Sequence, residues 1–286
     1  MNEYAIAGIR LRLDYLFKDY FEGRIDAYRL PDRAPVDYWI ETILTKDLAV
    51  PAGKPTLRYG KNLLFENDQE TNLVILAPDE TYVKQIVTAT KGMNHVQIKL
   101  NPEYRERLPE IEYIATGIVF FDIAAKEGLL PLHASAIAHR GEAILFSAPS
   151  KTGKSTHANL WKLFAEDVRI INDDKPVISF KDDILTVHGT PWAGKNVEND
   201  NVSHPLKAIV FLRQDKVPHI VELDDETRMK ELFRNSYRPR QEDLSNKVID
   251  VMDAILKKTD IFEFDTDISQ AAFRIIYQRI YGGERK

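Results

Sequence analysis

Up to about residue 102, apolar residues come in short runs separated by turn formers. "YAIAGIRLRL", "RIDAYRL", "NLLFEND" and "TNLVILAP" are rich in Ile, Leu, Val and Tyr and are bounded by Gly, Pro, Asn and Asp, which predicts strands. "DETYVKQIVTATKG" is predicted as one helix, capped by Asp79 and stopped by Gly92. From about Glu103 to Glu127 the spacing of Ile111, Ile114, Ile118, Phe121 and Ile123 is helical.

The second half alternates. "LHASAIAH", the turn "RGE" and "AILFSAPS" predict two strands joined by a tight glycine turn. "STHANLWKLFAED" follows as a helix. "VRIINDDKPVISF" reads as a buried strand with acids at its end, and "DILTVHGTPW" and "PLKAIVFLRQD" as further strands. "DETRMKELFRNSY" and "QEDLSNKVIDVMDAILKKT" predict helices, "IFEFDTD" a late strand and "ISQAAFRIIYQRIY" a last helix. Strands alternating with helices predict an α/β fold. The expected organisation is a smaller, mostly β (α+β) N-terminal domain over 1–102, a connecting helix over 103–128 and an α/β domain over 129–286.

Composition narrows the function. The net charge is -5, so no nucleic-acid partner is expected. Cysteine is absent, which removes disulfides, a thiol nucleophile and Cys-based zinc sites. The most apolar stretch, "IEYIATGIVFFDIAAKEGLL", carries Glu112, Asp122, Lys126 and Glu127, too many charges for a membrane span. The first residues are broken by charges rather than built as a signal peptide. A cytoplasmic location is the default expectation.

"SAPSKTGKST", Ser147 to Thr156, approaches the phosphate-loop pattern G-x-x-x-x-G-K-[ST] with Ala148 in place of the first glycine. A strand, this loop and then a helix are what such a site needs. Loop N–H groups and the helix N-terminus cradle phosphate oxygens. Lys154 would neutralise the β- and γ-phosphates, Ser155 would ligate Mg²⁺, and Gly153 would let the backbone approach. Ala148 is tolerated where φ stays negative. Past the next apolar strand come Asp173 and Asp174, which suit a metal ligand or a general base at the carboxyl edge of a sheet. The bland reading of "NDDKP" is a turn. His133 opens the strand that leads into the hairpin, and "HAS" puts polar groups in an otherwise apolar segment.

Together "LHASAIAHRGEAILFSAPSKTGKST", "RIINDDKPVI", "DILTVHGTPWAG" and "PLKAIVFLRQD" resemble the HPr kinase/phosphorylase family and its relatives with a PEP-carboxykinase type of nucleotide-binding domain. The similarity covers about residues 129–270. It implies an ATP-binding catalytic P-loop domain with a mixed sheet and flanking helices, whose loop is Ala148, Pro149, Ser150, Lys151, Thr152, Gly153, Lys154, Ser155 and Thr156. It further implies Mg²⁺ at Ser155 and Asp173, His133 in the active site, and Asp174 as the base that deprotonates a serine hydroxyl. The implied activity is an ATP- and Mg²⁺-dependent serine kinase acting on a peptide or protein. The family's Glu-x-Arg-Gly segment is replaced here by Thr186-Val187-His188-Gly189, which counts against the reverse, phosphorylase, reaction. "GTPWAGK" looks more like the HPr-kinase-like proteins of peptide-modification pathways, including kinases of lasso-peptide precursors. A homo-oligomer is implied by the hexameric habit of the better-known relatives.

Weaker candidates are Trp192 and Lys195, as substrate contacts on the loop "GTPWAGKNVENDNVSHP" that also carries His204. Arg228, Arg234, Arg238 and Arg240 form a basic cluster whose plainer reading is a solvated helix face. Two rivals stay open: a kinase of a small hydroxylated metabolite such as free serine, and a non-catalytic nucleotide-sensing module. The N-terminal domain is a candidate for substrate recognition and lies outside this resemblance.

Overall fold

The computed structural model describes residues 2–31, 34–149, 152–194, 197–239 and 242–282, with the backbone alone over 242–245. The fold is mixed α/β, with sheets and flanking helices. The chain divides into two compact units, Met1–Ile123 and Ala124–Lys286.

In the first unit the elements run β1 (Glu3–Ile6), β2 (Ile9–Asp14), α1 (Lys18–Phe21), β3 (Tyr38–Leu44), β4 (Leu57–Tyr59), β5 (Asn62–Glu66), β6 (Glu70–Leu76), β7 (Val83–Thr90) and β8 (His95–Leu100). Helix α2 (Leu108–Lys126) follows, and the division between the units falls inside it. The strands form one eight-stranded sheet in the order β1-β2-β3-β8-β7-β6-β5-β4. Two sequence expectations fail here. Residues 79–92 hold a strand, not a helix, because Ile86 pairs with Val74 of β6 on one side and Lys99 of β8 on the other. Pairing on both flanks suits its β-branched residues, and Asp79 caps a turn by accepting from the Thr81 N–H and hydroxyl. "RIDAYRL" is not a strand either. It makes a short 3₁₀ turn, Asp26–Tyr28, that buries Ile25 and Tyr28.

The second unit contains β9 (Leu130–Pro131), β10 (Ala134–His139), β11 (Glu142–Ser147), α3 (Lys154–Phe164), β12 (Arg169–Asn172), β13 (Val177–Lys181), β14 (Ile184–His188) and β15 (Ser203–Gln214). It continues with β16 (His219–Glu222), α4 (Asp225–Asn235), α5 (Glu242–Lys258), β17 (Asp260–Thr266) and α6 (Gln270–Tyr281). The sheet runs β12-β10-β11-β15-β14-β13-β9, with β17 added to β15 and β16 to β17. The long strand β15 organises it. β11 runs parallel on one side, while β14 pairs antiparallel with its first half and β17 parallel with its second.

β10 and β11 are apolar and almost wholly buried, as strands covered on both faces must be. Arg140 and Gly141 join them in a two-residue turn with φ of 53° and 78°, the twist that closes a hairpin. "VRIINDDKPVISF" is two strands, β12 and β13, rather than one, because the chain turns at Asn172. Helices α3 and α6 pack on one face. Trp161 is fully buried there against Phe146, Phe273 and Tyr281, an aromatic contact of about 4 kcal/mol by area. Among the described residues no helix is long and apolar enough to cross a membrane.

Candidate active site

Sheet register assembles the site. Ala134 pairs with Ser147 of β11 on one side. On the other, its N–H donates to Asp174 O at 3.1 Å. His133, the start of the loop after β11, and Asp174 therefore line up along one sheet edge. Ser147 Oγ ties the row together by donating to His133 O at 2.9 Å. β11, β15 and β17 are parallel, so this edge is the carboxyl edge where open α/β sheets bind ligands.

Gly153 begins α3 with φ 110°, a left-handed conformation that favours glycine. Having no side chain, it supplies no cap, and the N–H groups of the first turn of α3 face the loop end. Lys154 is 8% exposed and donates from Nζ to Ala148 O at 3.0 Å. Burial lowers its pKa; the charges of Asp174 and Asp173 oppose this and that of Lys175 adds to it. The ammonium thus lies within electrostatic reach of the acids. Ser155 is half-buried and Thr156 exposed in the same turn. Ala148 is buried and Pro149 exposed, and Thr152 N donates to Pro149 O at 3.3 Å. Ser150 and Lys151 lie outside the described residues.

The two acids differ. Asp173 is 7% exposed and accepts from Ser135 Oγ at 2.6 Å. Asp174 is half-buried, with Oδ1 3.1 Å from His133 Nε2 and 3.6 Å from Lys175 Nζ. Burial pushes its pKa up, but the His133 hydrogen bond and the charges of Lys175, His133 and Lys154 outweigh this and hold the carboxyl below its usual range. Burial likewise lowers the Lys175 pKa, opposed by Asp174.

Asn172 orders this turn. Its Oδ1 accepts from Asp174 N at 2.8 Å and Lys175 N at 2.6 Å. Its Nδ2 donates to Thr190 O at 2.8 Å and Trp192 O at 3.4 Å. "NDDKP" is thus a turn that also gathers the candidate acids. Gly194, at φ 67°, lies against Asp174: a Cβ on it would stand 3.2 Å from the Asp174 Cβ.

Ser135, Asn172, Lys175, Thr190 and Gly194 escaped the sequence reading. The polar "HAS" and the Asx-turn signal of Asn172 were the available cues. Trp192 is 3% exposed, so its ring is packed inside rather than presented to a substrate. Lys195 lies outside the described residues. His204 stands in β15, not in the loop, and faces Gly141 O at 3.2 Å. His188 spans Ser179 and Ser203 at 2.8 and 2.7 Å, a structural link. The arginines are engaged locally: Arg228 with Asp225, Arg234 with Glu231, and Arg238 over the Phe233 ring. Arg240 is outside the described residues.

Residues 99–263 match the family model described as SynChlorMet cassette protein ScmC. This is more than half of the 286 residues, and the chain belongs to that family. Among solved structures it is similar to the HPr(Ser) kinase/phosphatase from Coxiella burnetii, at 10% identity and a TM-score of 0.25, over 44% of this chain and 94% of that one. No curated protein matches it.

Proposed function

We propose that this protein is an ATP- and Mg²⁺-dependent phosphotransferase that moves the γ-phosphoryl group to a serine hydroxyl of a peptide or protein. The observation that carries the reading is the convergence, on one sheet edge, of the glycine loop and α3 with the His133–Asp174 pair. The loop and helix offer backbone donors, Lys154 and Ser155; the pair offers an oriented carboxylate. The motif order along residues 129–270, similar to the HPr kinase/phosphorylase family, supports the same domain arrangement.

The residues fit Mg²⁺. Among the described residues no three His, Cys, Asp or Glu side chains cluster as a metal cage. Mg²⁺ is commonly held by one or two protein ligands plus phosphate oxygens and water, for which Ser155 and Asp173 suffice. Bound Mg²⁺ supplies charge neutralisation on the phosphates. Lys154 exchanges Ala148 O for phosphate oxygens, and loop amides orient the chain of phosphates. Asp174, held ionised by its cationic neighbours, accepts the serine proton as the hydroxyl oxygen forms its bond to the γ-phosphorus. The bond to the bridging oxygen breaks and ADP leaves. His133 orients Asp174.

The family's description as a cassette protein directs the acceptor search to peptides encoded beside it. The test incubates the purified protein with Mg²⁺ and γ-labelled ATP against such peptides and against free serine. Label on a peptide serine establishes the reading; label on free serine alone transfers it to a metabolite kinase. ATP binding without turnover on any acceptor leaves a nucleotide sensor.

A further inference from the structure

We infer that Lys175 is a positioning residue of this site: with His133 it holds one oxygen of Asp174, Oδ1, so that Oδ2 is the atom presented to the acceptor. The inference rests on the phosphotransferase reading and assigns a residue and an atom within it.

Two side-chain nitrogens converge on Oδ1, His133 Nε2 at 3.1 Å and Lys175 Nζ at 3.6 Å. They reach it from different segments, one before β10 and one after β12. Consecutive residues on a regular strand point to opposite faces. Asp174 and Lys175 nevertheless meet, because the chain turns on Asn172, which accepts both of their backbone N–H groups. The arrangement is fixed from outside as well. Thr190 Oγ1 donates to Lys175 O at 2.8 Å. Leu132 N donates to Pro176 O at 3.0 Å and Ala134 N to Asp174 O at 3.1 Å. Lys175 thus springs from a backbone held on both sides, with its side chain mostly covered.

A carboxylate held at one point turns about its terminal bond, and its oxygens exchange places. A second nitrogen on the same oxygen, the Lys175 ammonium, opposes that turn. The other face of Asp174 meets Gly194, where a Cβ would stand 3.4 Å from Cγ and 3.6 Å from Oδ2. Any side chain at 194 would crowd Oδ2.

The absence of cysteine allows a direct test. Lys175→Cys introduces a single thiol. Alkylation with 2-bromoethylamine rebuilds an ammonium of similar reach, and iodoacetamide gives a neutral arm. Both reactions are run on one denatured batch that is then refolded, so the two products share their folding history. Mg-ATP hydrolysis, with water in place of the acceptor, is assayed beside ATP affinity and thermal unfolding. The neutral form is expected to lose about ten- to a hundredfold in kcat, with KM for ATP unchanged, and the aminoethylated form to regain most of it. Wild-type kcat in the neutral form overturns the inference. So does a loss confined to KM, or an aminoethylated protein that folds and binds ATP yet stays as slow as the neutral one. A wild type that neither hydrolyses ATP nor labels any acceptor overturns the phosphotransferase reading, and this inference with it.

Discussion

His133 Nε2 faces Asp174 Oδ1 at 3.1 Å across the carboxyl edge of the second unit's sheet. Backbone bonds beside the pair, such as Ala134 N to Asp174 O, survive when either side chain is changed. Asp174→Asn should therefore fold normally and bind ATP with wild-type affinity. Phosphoryl transfer should fall by about 10²–10⁴, the usual worth of a general base. Initial rates and titration calorimetry on the same preparation check this; transfer at the wild-type rate removes Asp174 from the mechanism.

Lys154 is buried with its ammonium on Ala148 O. A buried charge contributes little to folding but much to a phosphate ligand. Lys154→Met should melt within a few degrees of the wild type when no nucleotide is added. Saturating Mg-ATP at about a hundred times Kd should stabilise the wild type by about 2.7 kcal/mol and the variant hardly at all. Scanning calorimetry with and without nucleotide reads both effects.

Gly189 is required by space. A Cβ there would stand 1.9 Å from Asp200 O and 2.9 Å from Ile171 O, both backbone atoms that cannot swing aside. Gly189→Ala should cost about 2–4 kcal/mol. Gly8, at φ 82°, has nothing within 4 Å of such a Cβ. Gly8→Ala should therefore cost only about 1 kcal/mol, from the left-handed backbone alone. Urea denaturation of the two variants separates crowding from conformation.

His157 is 2% exposed, with Nε2 3.1 Å from Asp267 O. Burial holds its pKa down to about 4, against the opposing effects of the Asp267 carbonyl bond and charge. The ordinary value is about 6.5, so folding favours the neutral ring. Its contribution is full above about pH 6.5 and is lost as pH falls towards about 4. The total is about 3 kcal/mol. His157→Gln keeps a donor for Asp267 O without titrating. Its stability should therefore fall less between pH 7 and pH 4.5 than the wild type's, measured by urea unfolding at each pH. Parallel losses in the two proteins contradict the assignment.

Most of the second half of the fold was legible because its signals agree; the turn at Asn172 that splits "VRIINDDKPVISF" was an exception. In β10 and β11, apolar runs, a two-residue glycine turn and a following helix all point the same way. The first half misled where local and tertiary preferences conflict. β7 has a cap-like Asp79, a Gly92 stop and helix-tolerant residues between, but its partners β6 and β8 are distant in sequence and invisible to a local window. β3 and β8 were not anticipated for the same reason. At the candidate site, the nearness of Lys154 to the acids was legible from motif spacing. Lys175 and Gly194 were not, because their roles arise from a turn and a loop that meet only in three dimensions.

Asn172 puts a single amide group at the junction of two structures. One end of it sets the turn that aims Asp174; the other grips the carbonyls of Thr190 and Trp192, two residues before Gly194. The segment 190–192 and the carboxylate of Asp174 are thus mechanically one part. A displacement that pulls 190–192 away from Asn172 loosens the same amide that aims Asp174, so strain in that loop reaches the carboxylate without any residue travelling between them.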